Sequence, residues 1–261
     1  MVIRHSITTA ACVGAMLACL SINAAATDVK VGGVGILKPT YEGSDSYEVV
    51  GAPFAFPVFS STSNGTVAFN GADDVRFRLL QEQGFEAGPL AGYAFGRDEG
   101  DGLLLRGLGD VDGGVIIGGY VGYRVSSLFF DVSYHHIVSG DTGGFFRLGV
   151  SNTFQLSPQF KAKIRVGATY ADDDYMQEYF GITAAQSAAS TAGLAAYDAG
   201  AGFKDVHVKL SGKYDIDNRW SLTGSAGYKR LIEDAADSPI VEAEDQFSAS
   251  LGVTYRFSLS R

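Results

Sequence analysis

Between Asp245 and Phe257 the chain places an apolar residue at every second position: Phe247, Ala249, Leu251, Val253, Tyr255 and Phe257. Gln246, Ser248, Ser250, Gly252, Thr254 and Arg256 fill the gaps. Side chains of a strand point alternately to its two faces, so this period of two builds one apolar and one wet face. The run is long enough to cross a bilayer at a tilt, with aromatics at the ends of its apolar face. In hydrocarbon such a strand must find partners for its backbone N–H and C=O groups along both edges. Only closure into a ring leaves no edge open.

The same alternation recurs along the chain. Phe160, Ala162, Ile164, Val166, Ala168 and Tyr170 share one face; Lys161, Lys163, Arg165, Gly167 and Thr169 share the other. Further runs cover Val29–Leu37, Val50–Phe59, Gly65–Asn70, Asp74–Leu80, Phe85–Gly96, Gly114–Arg124, Leu128–His136, Gly144–Phe154, Val206–Tyr214 and Trp220–Tyr228. Short connections fall on one side: Ser60–Asn64, Gln81–Gly84, around Ser126, Gln155–Gln159 and Asp215–Asn218. The other side carries mostly long ones: Lys38–Val49, Arg97–Gly113, Ile137–Gly143, Ala171–Gly202 and Ile232–Glu244. The expected fold is all-β: a transmembrane antiparallel up-and-down β-barrel of about twelve strands, with short periplasmic turns and long outer loops. A soluble sandwich shares the alternation but has no reason to sort its loops by length. The 34 glycines, 13 tyrosines and 17 phenylalanines suit many short-turned strands.

Residues 1–26 read as a cleaved export leader, leaving 27–261 as the barrel. Arg4 opens it, Ile7 to Ile22 is apolar and small, and Ala24-Ala25-Ala26 offers cleavage between Ala26 and Thr27. The apolar run is short for a membrane anchor, and Met16-Leu17-Ala18 is a poor lipidation box before Cys19. Cys12 and Cys19 both fall in the leader, so the mature chain has no disulfide and no thiolate metal site. A net charge of −9 argues against nucleic acid as a partner.

The expected inner face is basic. Candidate lumen residues are Arg76, Arg78, Arg147, Lys161, Lys163, Arg165, Lys209, Lys213 and Arg256, with His207 and Lys229, set against Glu86 and Asp131. A basic lumen favours anions in transit or an acidic ligand. The plainer reading, a narrow interior filled by paired and solvated charge, is preferred because few strands leave little room. His135 and His136 are neighbours on a strand and point to opposite faces, so they do not share a metal. Asp172-Asp173-Asp174 offers oxygen ligands to Ca²⁺, with solvated loop charge as the commoner outcome. G-x-S-x-G, H-E-x-x-H and phosphate loops are absent from the sequence. No catalytic residue, cofactor or metal is therefore expected.

Several motifs in order resemble the MipA/OmpV family of outer-membrane proteins. They are Y-E-G-S-D (Tyr41–Asp45), G-R-D (Gly96–Asp98), G-L-G-D-V-D (Gly107–Asp112), Y-F-G-I-T (Tyr179–Thr183), Q-S-A-A-S (Gln186–Ser190), Y-D-A-G-A-G-F-K-D-V (Tyr197–Val206), W-S-L (Trp220–Leu222), D-A-A-D-S-P-I-V (Asp234–Val241) and T-Y-R-F (Thr254–Phe257). The resemblance implies a non-enzymatic barrel in the cell outer membrane, among lipid and lipopolysaccharide and placed there by the barrel-assembly machinery. Tyr255 and Phe257 would carry the C-terminal assembly signal. It further implies a scaffold joining a lytic transglycosylase to a penicillin-binding protein in murein synthesis. A porin-like channel for small solutes, or a surface antigen or adhesin, is the alternative. Two departures stand out: Ser258 to Arg261 extend past the terminal Phe, and Val115-Ile116-Ile117 is apolar where an acidic residue is expected. Because the motifs lie in long outer loops, they are expected to fold inward and constrict the pore.

Overall fold

The computed structural model describes residues 26–59, 67–138 and 142–258. The expected leader up to residue 25 and the expected turn at Ser60–Asn64 lie outside them, and the Ala26–Thr27 bond opens the first strand. Among the described residues thirteen strands form one antiparallel sheet. They are β1 (Ala26–Pro39), β2 (Tyr47–Phe59), β3 (Val67–Gly71), β4 (Asp74–Phe77), β5 (Leu80–Glu82), β6 (Phe85–Ala94) and β7 (Gly114–Val125). Then come β8 (Leu128–Ile137), β9 (Gly144–Gln155), β10 (Phe160–Ala171), β11 (Gly202–Asp215), β12 (Trp220–Leu231) and β13 (Asp245–Ser258). Three helices, α1 (Asp173–Phe180), α2 (Ala184–Ala189) and α3 (Glu233–Asp237), lie in the outer loops.

β4 and β5 both pair with β6 and together occupy the fourth expected strand, broken at Arg78 and Leu79. The number of passes is thus the one read from the periodicity. From β6 to β13 neighbours in sequence are neighbours in the sheet, as are β1 with β2 and β3 with β4, and the first strand pairs with the last from Asp28↔Ser258 to Leu37↔Ala249. That closing pair is what an up-and-down barrel requires. Among the described residues no ladder joins β2 to β3.

Alternation becomes two environments. On β8, Phe130, Val132 and Tyr134 are exposed on the outer face, whereas Asp131, Ser133 and His135 are buried on the inner one. Outward aromatics gather at two levels. Trp220–Tyr255 and Tyr255–Phe257 stack edge-on at the turn end, with ring centroids 4.8 and 4.6 Å apart. At the loop end Tyr170–Phe203 also meet edge-on, while Tyr228–Phe247 and Tyr134–Phe146 pack at a tilt. From Phe247 to Phe257 the strand rises about 33 Å, or about 25 Å after a typical tilt, the height of an outer-membrane apolar band. β2 departs from the pattern. Its register sets Phe54 opposite Gly32, on the face that carries Lys30, so this apolar side chain turns inward.

The outer loops are not solvated coils. Leu105, Leu108, Ile182, Tyr41 and Ile240 form one buried cluster contributed by four loops. A second cluster sets Met176 and Phe180 of α1 against Ile116, Ile137, Ala171 and Leu231, the inward residues at the strand ends. Met176 and Phe180 are fully buried, each contributing about 1.5–3 kcal/mol. Ile116 belongs to the apolar Val115-Ile116-Ile117 run; it supplies packing beneath α1, which explains why no charge stands there.

Candidate functional site: the barrel interior and its cap

The interior is organised by a connection that looked unremarkable in sequence. The tip between β3 and β4, Asn70 to Asp74, lies against the inner faces of four distant strands. Lys163 of β10 donates to Asn70 Oδ1 at 3.2 Å and Lys209 of β11 to the Asn70 carbonyl at 2.7 Å. Arg147 of β9 meets Asp73 at 2.8 Å, and His135 Nδ1 of β8 is 3.2 Å from the Asp73 carbonyl. The hairpin therefore crosses the space inside the sheet.

Beside it sits a buried charge network. Arg76 pairs with Asp74 through Nε at 2.8 Å and Nη2 at 2.9 Å, and with Asp131 through Nη1 at 2.8 Å. Its guanidinium stacks 4.7 Å from the Tyr120 ring. Arg165 of β10 also holds Asp131, through Nη1 and through Nη2 at 3.0 Å. Arg165 reaches over β9 to do so, and Gly149 makes the passage: a Cβ there would lie 2.3 Å from the guanidinium. Arg78 pairs with Glu86 at 3.0 Å, and Tyr120 donates to the same carboxylate at 2.9 Å. Ser133 Oγ lies 2.9 Å from His135 Nε2, but both are at most 1% exposed and Ser133 also receives Arg76. That contact is packing within the network, without access for a substrate.

A second cluster closes the outer mouth. Thr169 pairs with Asp205 and Tyr170 with Phe203, leaving Lys204 as the extra residue of a bulge. A bulge re-aims side chains, and here it turns both Lys204 and Asp205 to the inner face, where both are buried. Lys204, at 2.5 Å, and Lys229 donate to Glu42 of the Y-E-G-S-D loop, and Tyr175 Oη lies 3.4 Å from it. Burial alone would raise the Glu42 carboxyl, but Lys204 and Lys229 outweigh it and hold it at about 2. Asp205 accepts from Thr169 at 3.1 Å and stands 2.8 Å from His207 Nδ1.

The cap is locked from above. Gly43 accepts from the Glu242 and Ala243 amides at 2.8 and 2.9 Å, and Gln246 Nε2 donates to Ser44 O at 3.1 Å. Tyr41 Oη lies 3.0 Å from the Ile240 carbonyl and 2.9 Å from Glu242; burial and that carboxylate push its hydroxyl well above the usual range. Arg97 of G-R-D donates to the Tyr179 and Glu178 carbonyls at the C-terminal end of α1. Cations are favoured there, although burial lowers the Arg97 pKa. Asp172 caps α1, accepting from the Tyr175 amide at 2.9 Å, and takes the Gly144 amide at 2.8 Å. Of the acidic triplet, Asp172 thus serves the helix start and Asp173 and Asp174 lie in its first turn. Among the described residues no cluster of His, Cys, Asp and Glu assembles for a metal.

The periplasmic end differs in kind. Lys213 pairs with Asp215, and Arg256 stands 3.8 Å from Asp28, yet the side chains of Lys213 and Arg256 remain 41% exposed. Lys161 is exposed and lies directly opposite Lys213; Lys30 lies opposite Arg256. Tyr255 and Phe257 sit on the outer face of the same strand end, in the lower aromatic belt. Sequence reasoning missed Asn70, Asp73, Asp74, Glu42 and Lys204. The available signal was the excess of inward cations over carboxylates, which demanded counter-charge from some connection.

A family model described as MltA-interacting protein MipA matches residues 31–257. The chain belongs to that family. Within the MipA family and its relatives, it is 32% identical over 127 residues to outer membrane protein OmpV of Vibrio cholerae, covering 48% of this chain and 41% of that one. Outer membrane protein Omp26La of Vibrio anguillarum is 37% identical over 92 residues, 35% of this chain and 34% of the relative. MltA-interacting protein of Escherichia coli K12 is 30% identical over 92 residues, 35% of this chain and 36% of the relative. The matched stretches thus span well under half of these relatives. The protein is an outer-membrane β-barrel of the MipA family.

Proposed function

We propose that this protein is a non-enzymatic, periplasm-facing anchor for murein-processing enzymes, with a barrel too filled to act as an open pore. The reading is carried by the inward hairpin: Asp131, Arg76, Ser133 and His135 are almost wholly buried around its tip. A water-filled channel needs a continuous wet path between its mouths, and the hairpin, α1 and the Glu42 cluster stand across that path. The name of the relative MltA-interacting protein supports a lytic transglycosylase as the partner class, and a penicillin-binding protein is proposed as the second enzyme. Lipid and lipopolysaccharide surround the apolar belt, and the barrel-assembly machinery inserts the chain after removal of residues 1–26. The porin-like alternative requires the hairpin to leave.

Two measurements test the proposal together. Detergent-solubilised protein on beads should retain a lytic transglycosylase, and the same preparation in planar bilayers should show no steady open-channel current. Stable conductance of the unmodified protein, with no enzyme retained, would sink the anchor reading in favour of a channel.

A further inference from the structure

We infer that the periplasmic end of the barrel is a socket for an extended acidic segment of a periplasmic protein. The inference rests on the anchor reading above. Two like-charged pairs face each other across neighbouring strands at this end: Lys161 with Lys213, and Lys30 with Arg256. Like charges directly opposite destabilise a ladder. Deeper inside, Arg165 also stands opposite Lys209, but there the cations are partnered: Arg165 and Arg76 by Asp131, Lys163 and Lys209 by Asn70, Arg147 by Asp73, and Lys204 and Lys229 by Glu42. At the periplasmic end the nearby carboxylates are Asp215, which also takes Ser221 at 2.7 Å, and Asp28, loosely placed beside Arg256. The cations there outnumber them and stay in contact with water.

The shape of the cluster selects the ligand. Its cations come from β10, β11, β13 and β1, with β12 between and contributing Ser221 and Thr223 to the same face. Five adjacent strands span an arc of about 19 Å, more than one phosphate or carboxylate can bridge. An extended peptide with several acidic side chains covers that distance. Phe54 on the inner face of β2 adds an apolar contact beside the Lys30–Arg256 pair. The periplasmic turns are short, and a flat platform of about 800 Å² is hard to assemble from them. Insertion of a segment solves that geometrical problem, because the contact is made inside the rim.

The probe is a fluorescein-labelled oligoglutamate titrated into the folded full-length mature barrel in neutral detergent. Saturable binding that weakens with salt is expected, as for partly exposed charges. The double variant K30Q/K161Q should lose about tenfold in affinity, the worth of one or two exposed charge contacts. R230Q, which changes an exposed charge at the outer end, should bind as the parent does. K161Q alone should also unfold at higher urea, because it relieves the pair with Lys213. Retained heat-dependent gel mobility confirms that each variant is folded. Absence of saturable binding at low salt, equal loss in R230Q, or displacement of the peptide by pyrophosphate at equal affinity would each overturn the inference. Channel conductance by the parent protein would remove the anchor reading and leave the peptide result standing, so the two fail separately.

Discussion

Arg76 Nη1 lies 2.8 Å from Asp131 Oδ2, joining the inward hairpin to the wall of the barrel across 55 positions of sequence. Asp131 is fully buried and also holds Arg165, so with Asp74 on Arg76 two carboxylates balance two guanidinium groups. Breaking a buried pair by neutralising one partner leaves uncompensated charge, which costs about 3–5 kcal/mol. D131N is expected to lose stability on that scale in urea unfolding followed by the fluorescence of Trp220. The change D74N/R76M/D131N/R165M, which removes all four buried charges, should recover most of the loss. If D131N unfolds at the parent midpoint, the network does not hold the hairpin.

Conductance should depend on which obstruction is removed. Deleting 97–113 takes away Leu105, Leu108 and Arg97, and with them part of the cap packing. The Asn70–Asp74 tip stays in place, held by Lys163, Lys209 and Arg147. Loop deletion alone should therefore raise single-channel current little. Replacing 70–74 by a short Gly-Ser turn in the loop-deleted protein should raise the current further, with α1 and the Glu42 cluster still limiting it. A large current from the loop deletion by itself would place the restriction in the cap instead.

The strands were legible because hydrocarbon enforces a rule that each of them obeys separately. Phe247 to Phe257 reveals its apolar face without knowledge of any neighbour. Even the division of Asp74 to Glu82 into β4 and β5 leaves that face readable. The interior was legible only as composition. That Asn70 and Asp73 would serve Lys163, Lys209 and Arg147 depends on a hairpin leaving the wall, which no local period records. Glu42 and Lys204 were hidden for related reasons. Glu42 sits in a loop whose course is set by contacts with Gln246 and Val241, and Lys204 faces inward only because a bulge shifts its register. Phe54 misled in the opposite sense, its apolar character suiting the outer face while its register sends it inside.

The Y-E-G-S-D loop makes a sharp turn that its glycine permits. Gly43 has φ of +103°, a conformation open chiefly to glycine. A Cβ there would also lie 2.7 Å from Val241 Cγ2, in the loop that the turn is bonded to. G43A should cost about 1–3 kcal/mol by strain and contact together. Hydrogen exchange of the Glu242 and Ala243 amides, both of which donate to Gly43, should accelerate while β13 exchanges as before. Unchanged protection of those two amides would show that the loop is not fastened there.

Acid should release the same loop through Glu42. Its carboxyl is held at about 2 in the fold, below the model-peptide value of 4.5, because Lys204 and Lys229 outweigh its burial. A depressed carboxylate contributes stability above its unfolded pKa and loses it as pH falls through the folded one. The contribution, on the order of 3 kcal/mol, is thus present above about pH 4.5 and fades toward pH 2. Pepsin, which works across that window, should nick 40–46 increasingly as pH drops from 4.5 to 2 in the parent protein. E42Q has no carboxylate to protonate and leaves Lys204 and Lys229 without it, so its loop should already be cut at the upper end, with little further change. Should parent and E42Q show the same pH profile, the clasp between the first outer loop and the ends of β11 and β12 lies elsewhere.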